Sequence, residues 1–442
     1  MFSIKDIKRN YDLALNNKTK EIEYFERSEN QRDLEKHLIA NFSQCPIPKQ
    51  DITKKLASLD PLRVKIETLN NFYNFQVTTA IACISENLIT ISPDWQNYIR
   101  SYFSDLKQIG TPSNFGTAFL TDLKNPYTQN VGKNLFVIKA AKDKESENDI
   151  LHEAMVGMLV LNNLRKIIPN FACIYGFFKC GGPTVNDAGN VLNWCTGNNK
   201  VGYVIYENIE NSHSMNELFD KKLITIEQYL QYIVQFLFAL KIANVYCKFT
   251  HYDCHGSNVL LRKLPQPVLI KYPITDSTGT GTDTTYIKTD AVVTFIDYGM
   301  SYVEGNFSDG STYKLGTDYD FEKYNIFNDK DFILHDIFKF ICSGLYAPEA
   351  KIIRKDILKY FYTDKKPLES FTENAQNYYQ VPAYTSTTKN FNIDNFINFI
   401  LGLIEKNGWT SPIVIPQPDD KILSCDGDVC ASLEDIMKTI GL

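Results

Sequence analysis

His251-Tyr252-Asp253-Cys254-His255-Gly256-Ser257-Asn258 carries more chemistry than any other stretch of this 442-residue chain. A long amphipathic helical pattern, about Thr225 to Tyr246, precedes it, with the capping signal Thr225-Ile226-Glu227-Gln228 at its start. The β-type run Val259-Leu260-Leu261 follows, so the stretch is predicted as a loop between a helix and a strand. An Asp and an Asn five apart in one loop can converge on a site from two sides. The Asp253 carboxylate can take a proton from a hydroxyl, and the Asn258 amide oxygen can ligate a hard cation. Each residue also has a structural reading: His251 as a buried hydrogen-bonding histidine, Asp253 as a turn former, Asn258 as a cap.

Three further patterns extend outward from this loop. Downstream, Phe295-Ile296-Asp297-Tyr298-Gly299 ends an apolar strand with a carboxylate and a glycine, which suits a Mg²⁺ ligand on a rigid element, or a plain strand-end turn. Upstream, Phe136-Val137-Ile138-Lys139 sets a lysine at the end of an apolar run, where it needs an anionic partner or a route to water. Glu153, on the following helical segment Glu145 to Lys166, can be that partner. Further upstream, Ile109 to Phe119 is a small-residue turn with Gly110, Ser113 and Gly116 that leads into a strand. Such turns let backbone N–H groups approach phosphate, although most glycine-containing turns are only turns.

Taken in order, the four patterns resemble the motif set of the protein-kinase-like superfamily: a Gly-rich loop, V-A-I-K with its helical glutamate, H-R-D-x-x-x-x-N and D-F-G. Here they stand as Gly110 to Gly116, Val137 to Lys139 with Glu153, His251 to Asn258, and Asp297 to Gly299, over roughly residues 105–405. The resemblance implies an α+β, bilobal kinase-like fold, with an antiparallel β-rich N-lobe carrying one helix, an α-helical C-lobe and a helical N-terminal extension. It implies ATP and Mg²⁺ as cofactors and phosphoryl transfer to a protein Ser/Thr hydroxyl. Lys139, paired to Glu153, would hold the α- and β-phosphates, and Asn258 and Asp297 would bind Mg²⁺. Asp253 would be the catalytic base, beside His255. Gly110, Ser113 and Gly116 would cradle phosphate, the backbone of Tyr206-Glu207-Asn208-Ile209 would hold the adenine, and His251 and Asp336 would brace the catalytic loop.

The chain also departs from the pattern. The glycine loop lacks its middle glycine, with Pro112 and Ser113 near that place. Tyr252 replaces the arginine of H-R-D, and no A-P-E-like signature lies between Asp297 and Asp336. Activation-loop phosphorylation is therefore not expected to control the site. His255 stands where protein Ser/Thr kinases usually carry lysine and is more typical of aminoglycoside-phosphotransferase-like enzymes. A small-molecule kinase is the alternative on that ground, and a pseudokinase or virion scaffold is another. The long interval from Asn258 to Asp297 is read as a protruding hairpin with its tip at Thr275 to Thr285.

Composition frames these expectations. The formal charge of −6 argues against nucleic acid as the main partner. Of the 46 basic residues only 8 are arginine, which weakens bidentate phosphate recognition. Ten scattered cysteines read as reduced intracellular thiols, with Cys425 and Cys430 a loose pair. Met1 to Asp6 has no apolar signal region, and the apolar stretch Tyr232 to Cys247, broken by Gln235, Lys241 and Asn244, reads as too short and too polar to span a bilayer. No transmembrane segment and a cytoplasmic location are expected, in the host cytoplasm or virion, since length, insertions and composition resemble atypical kinases of large DNA viruses. Four units are predicted: a helical extension (1–105), an N-lobe (106–209), a C-lobe (210–405) and a C-terminal tail (406–442). The oligomeric state is left open.

Overall fold

The computed structural model describes Arg100 and residues 103–423, apart from 111, 114–115, 125–130, 144–145, 166, 187–189, 198, 210, 274–283, 307–311, 318–323, 362–380 and 387. The expected N-terminal helices, most of the hairpin tip, and Cys425 with Cys430 lie outside the described residues.

Alternating apolar residues set the first strands: β1 (Phe103–Ile109), β2 (Gly116–Lys124), β3 (Val131–Ala141), β4 (Ile174–Gly181), β5 (Thr184–Val185), β6 (Val191–Asn193) and β7 (Lys200–Glu207). Five of them form an antiparallel sheet in the order β1-β2-β3-β7-β4. The sheet begins at Phe103, where helix was expected, because that ring is buried between Phe136, met edge-on, and Phe178, on which it stacks. Helix α1 (Glu147–Met155) continues through a π-helical turn, Val156–Leu161, and buries Ile150, Leu151, Ala154 and Met155. The Lys179 to Lys200 insertion is the β5–β6 hairpin, and a disulfide joins Cys180 to Cys195 at its base. This corrects the expectation of uniformly reduced thiols. Sequence spacing does not reveal the pairing, which the return of the hairpin brings about, the Cys195 N–H donating to the Gly181 carbonyl at 2.8 Å; Cys173, Cys247, Cys254 and Cys342 are free and buried.

The chain then turns helical through β8 (Ser212–Ser214), α2 (Met215–Asp220) and α3 (Ile226–Cys247). Thr225 caps α3 with the reciprocal bonds expected of its sequence, its side chain accepting from the Gln228 N–H. Among the described residues α3 is long and apolar enough to cross a membrane, which corrects the reading of that stretch as too short. Fifteen of its residues are nevertheless buried inside the fold, so its apolar surface is that of a core helix. Next come β9 (Val259–Pro273), β10 (Thr284–Phe295), β11 (Val303–Asn306), β12 (Thr312–Leu315), α4 (Ile333–Leu345), α5 (Lys351–Phe361), α6 (Ile393–Lys406), β13 (Ile413–Val414) and β14 (Ile422–Leu423).

The β9–β10 hairpin is no loose protrusion: Val268, Leu269, Ile270 and Ile287 are buried. The segment expected as a tail flanks it, β13 pairing with β10 and β14 running parallel to β9. The whole is a mixed α+β fold. Its first sheet meets the end of β10 through Phe171, bridged to Phe295, and the loop 248–258 emerges from α3 at the same junction.

Candidate active site

The loop after α3 is held from below. Lys248 ends the helix in a left-handed conformation, and Thr250 bridges Tyr302. The fully buried carboxylate of Asp336, on α4, accepts the N–H of His251 at 2.5 Å and of Tyr252 at 2.8 Å. Burial pushes its pKa up to about 6 despite those donors. His251 donates through Nε2 to the Ile296 carbonyl at 2.8 Å and accepts the Asp253 N–H at Nδ1, 3.3 Å. His251 and Asp336 therefore brace the loop as expected, one against the strand that ends at Asp297, the other against α4. Tyr252, at φ 58°, is buried where an arginine was the family pattern; its hydroxyl donates to the Lys330 carbonyl at 2.6 Å.

Asp253 is gripped on both oxygens. Lys339 Nζ lies 2.7 Å from Oδ1, and the Asn258 amide donates to Oδ2 at 3.2 Å and to the Asp253 carbonyl at 2.9 Å. Burial alone would raise the Asp253 pKa, but the Lys339 ammonium outweighs it and holds the carboxyl below its ordinary value. With its nitrogen so engaged, Asn258 has its amide oxygen to offer a cation. His255 Nε2 stands 3.7 Å from Oδ2 of Asp253. The Ser257 N–H donates to its Nδ1 at 3.2 Å, and burial lowers its pKa against the opposing pull of Asp253.

The second half of the site comes from the sheet. Lys139, paired in register with Ala118 and Val204, bonds Glu153 of α1 at 3.2 Å (Oε1) and Oδ1 of Asp297 at 2.6 Å. Burial would lower the lysine pKa, but the Asp297 and Glu153 charges raise it overall, so Lys139 stays charged. Glu153 is pushed up to about 8 by burial against the opposing pull of Lys139, and the Tyr206 hydroxyl also donates to it. Asp297 sits at φ 64°, a conformation that costs a non-glycine residue energy and clusters at functional sites. His152, next to Glu153, donates from Nε2 to the Ser301 carbonyl at 2.7 Å, tying α1 to the segment after Asp297.

The residues expected around the rest of a nucleotide are placed differently. Gly110 has φ 64° and needs glycine for the turn after β1. Gly116 needs glycine for another reason: a Cβ there would lie 2.3 Å from the Ala140 carbonyl oxygen, across the β2–β3 pair. The Ser113 N–H donates to the Gly116 carbonyl at 2.8 Å and the Gly116 N–H to Ser113 Oγ at 3.0 Å. Those two N–H groups are thus taken up between Ser113 and Gly116. The Glu207 side chain is buried in an ion triad with Arg165 and Arg262, the latter at 2.5 Å, and its N–H donates to the Cys173 carbonyl at 2.9 Å. Burial would raise the Glu207 pKa, but the two arginines bring it down to about 2. Ile209 is buried and accepts the Ser212 hydroxyl on its carbonyl at 2.6 Å.

Among the described residues no three His, Cys, Asp or Glu side chains gather as a protein-only metal site. Asn258 and Asp297 are linked through the Ile296 N–H, which donates to the Asn258 carbonyl at 3.1 Å. Sequence reasoning missed Lys339, His152, the two arginines and the bond of the Tyr206 hydroxyl to Glu153. Lys339 stands one helical turn beyond Asp336, a spacing that places both on one face of α4 and could have disclosed it.

No family model matches the chain. It is 28% identical over 182 residues to Uncharacterized protein 035R of Invertebrate iridescent virus 3, a match that covers 39% of this chain and 16% of that protein. It is 29% identical over 169 residues to Uncharacterized protein 179R of Invertebrate iridescent virus 6, covering 38% of this chain and 13% of that protein. The chain thus spans under a fifth of the length of either relative. Both relatives are viral proteins.

Proposed function

We propose that this is an ATP- and Mg²⁺-dependent phosphotransferase of viral origin with a bilobal kinase-like fold, acting in the host cytoplasm on protein Ser/Thr hydroxyls. The observation that carries the reading is the pairing of Lys139 with both Glu153 and Asp297, beside the loop that holds Asp253 and Asn258. Against the pull of burial, the Lys139 charge holds the Asp297 carboxyl below its ordinary value, and Asp297 is about one-third exposed (33%), so its carboxylate suits a divalent cation that takes its other ligands from phosphate. When bound, Mg-ATP supplies the γ-phosphoryl group. Lys139 would neutralise phosphate charge, and Asn258 and Asp297 would hold the cation. As the acceptor oxygen bonds to phosphorus and ADP leaves, Asp253 takes the hydroxyl proton. Little covalent work falls to the protein, since positioning and charge neutralisation lower the barrier.

Two other readings have one observation each. His255, in the place of the lysine usual in protein kinases and 3.7 Å from Asp253, favours a small-molecule acceptor. The self-closed Ser113–Gly116 turn favours a nucleotide-free scaffold. A thermal-shift titration with Mg-ATP separates scaffold from enzyme: nucleotide at about 100-fold over Kd adds ~2.7 kcal/mol of stability, and the absence of any shift contradicts the proposal. Label transfer offered to a generic basic protein and to a panel of hydroxylated small molecules then separates the two acceptor classes.

A further inference from the structure

We infer that Lys339 is the positioning residue of this site: from α4 it fixes Oδ1 of Asp253 and so turns Oδ2 toward the acceptor hydroxyl. The inference rests on Asp253 being the proton acceptor. Four observations carry it. Lys339 is buried, with 5% exposure, and its Nζ lies 2.7 Å from Oδ1 of Asp253 and 3.3 Å from the Tyr252 carbonyl. Asp336, one turn earlier on the same helix, holds the N–H groups of His251 and Tyr252. One turn of α4 thus clamps three consecutive loop residues, the first two by backbone and the third by side chain. The other cationic candidate on the loop, His255, stands farther from the carboxylate, its Nε2 3.7 Å from Oδ2 against 2.7 Å for Lys339 on Oδ1.

An aspartate with two equivalent oxygens can rotate about χ2, and its catalytic worth depends on holding one lone pair in line with the proton it takes. An ammonium on Oδ1 removes that freedom. It leaves Oδ2, which accepts the Asn258 amide at 3.2 Å, as the oxygen without an ammonium. Lys339 acts through Asp253 and is not itself assigned any contact with substrate.

The test uses the full chain with Lys339→Met, Lys339→Gln and Lys339→Arg beside Asp253→Ala, reading kcat and the KM for ATP. The expected result is a kcat fall of ~10²-fold in Lys339→Met, with KM for ATP within about twofold and partial recovery in Lys339→Arg. Combining Lys339→Met with Asp253→Ala should cost almost nothing beyond Asp253→Ala alone, because the two act as one unit. Should the methionine variant fail to fold, the comparison of glutamine with arginine reads the same charge. Unchanged kcat in Lys339→Met overturns the inference. So does an equal loss of kcat, KM and fold in the Met, Gln and Arg variants, since that describes a structural lysine. If Asp253→Ala turns over like wild type, the proton-acceptor reading fails and the inference with it; if Asp253→Ala is inactive while Lys339→Met is not, only the inference fails.

Discussion

Lys139 Nζ lies 2.6 Å from Oδ1 of Asp297, a residue 158 positions further along the chain. That bond joins the third strand of the first sheet to the end of β10, and Glu153 closes the group from α1. Replacing Lys139 by Met leaves two carboxylates facing each other, one of them fully buried. A loss of about 3 kcal/mol is expected, read from urea unfolding at neutral pH, together with loss of the Mg-ATP thermal shift. A variant that keeps both wild-type stability and the nucleotide shift contradicts the assignment of Lys139.

The triad Arg165–Glu207–Arg262 ties the segment after α1 to β7 and β9. Glu207→Gln strands two buried guanidinium groups and is expected to destabilise by about 3–5 kcal/mol. Removing the whole triad in favour of apolar residues should cost far less, because three desolvation penalties disappear with it. Chemical denaturation of the single and triple variants checks both statements.

Acid should weaken the protein through His152. Burial lowers its pKa to about 4, against ~6.5 in the unfolded chain. Between those values the unfolded state binds a proton that the folded state refuses, so stability falls as pH falls through that window. At pH 5 the loss is ~2 kcal/mol. Asp336, raised to about 6 by burial, works in the opposite direction: its folded form takes up a proton more readily than the unfolded one. The difference between wild type and His152→Gln, each unfolded at pH 7 and at pH 5, isolates the histidine. Equal acid slopes in the two proteins would refute this role.

The Cys180–Cys195 bond closes a loop of 15 residues in sequence separation. Chain-entropy arguments give such a crosslink about 3 kcal/mol. Cys195→Ser, or reduction of the wild type, should lower the urea midpoint accordingly and leave the slope of the transition nearly unchanged. The number of free thiols counted under denaturing conditions should rise on reduction by two more in the wild type than in a Cys180→Ser/Cys195→Ser double variant. A chain with no such difference carries the pair as thiols.

Positions that depend on local pattern were legible in the sequence. Asp253 and Asn258 share a loop, Lys139 lies near the end of β3, and Asp297 follows two residues after β10 ends at Phe295, close to where the spacing predicts them. The Thr225 cap and α3 were legible for the same reason. Roles fixed by distant partners were not. The Glu207 side chain lies among two arginines 42 and 55 residues away, and neither is visible from the strand that carries it. Gly116 looked like a phosphate glycine but answers to the Ala140 carbonyl on the next strand. The segment after residue 406 had too few β-type residues to read as strands, and only the edges of the β9–β10 hairpin give those short runs a partner.

The most direct measurement is transfer of radiolabelled phosphate from Mg-ATP, into the chain itself and into a basic acceptor protein, by wild type beside Asp253→Ala. Loss of the positioned base should cost at least ~10²-fold in rate, with the nucleotide thermal shift retained. The account predicts chelator-sensitive labelling by wild type and a blank from the variant. Equal labelling by both proteins, or none by a wild type that also shows no Mg-ATP shift, would contradict it.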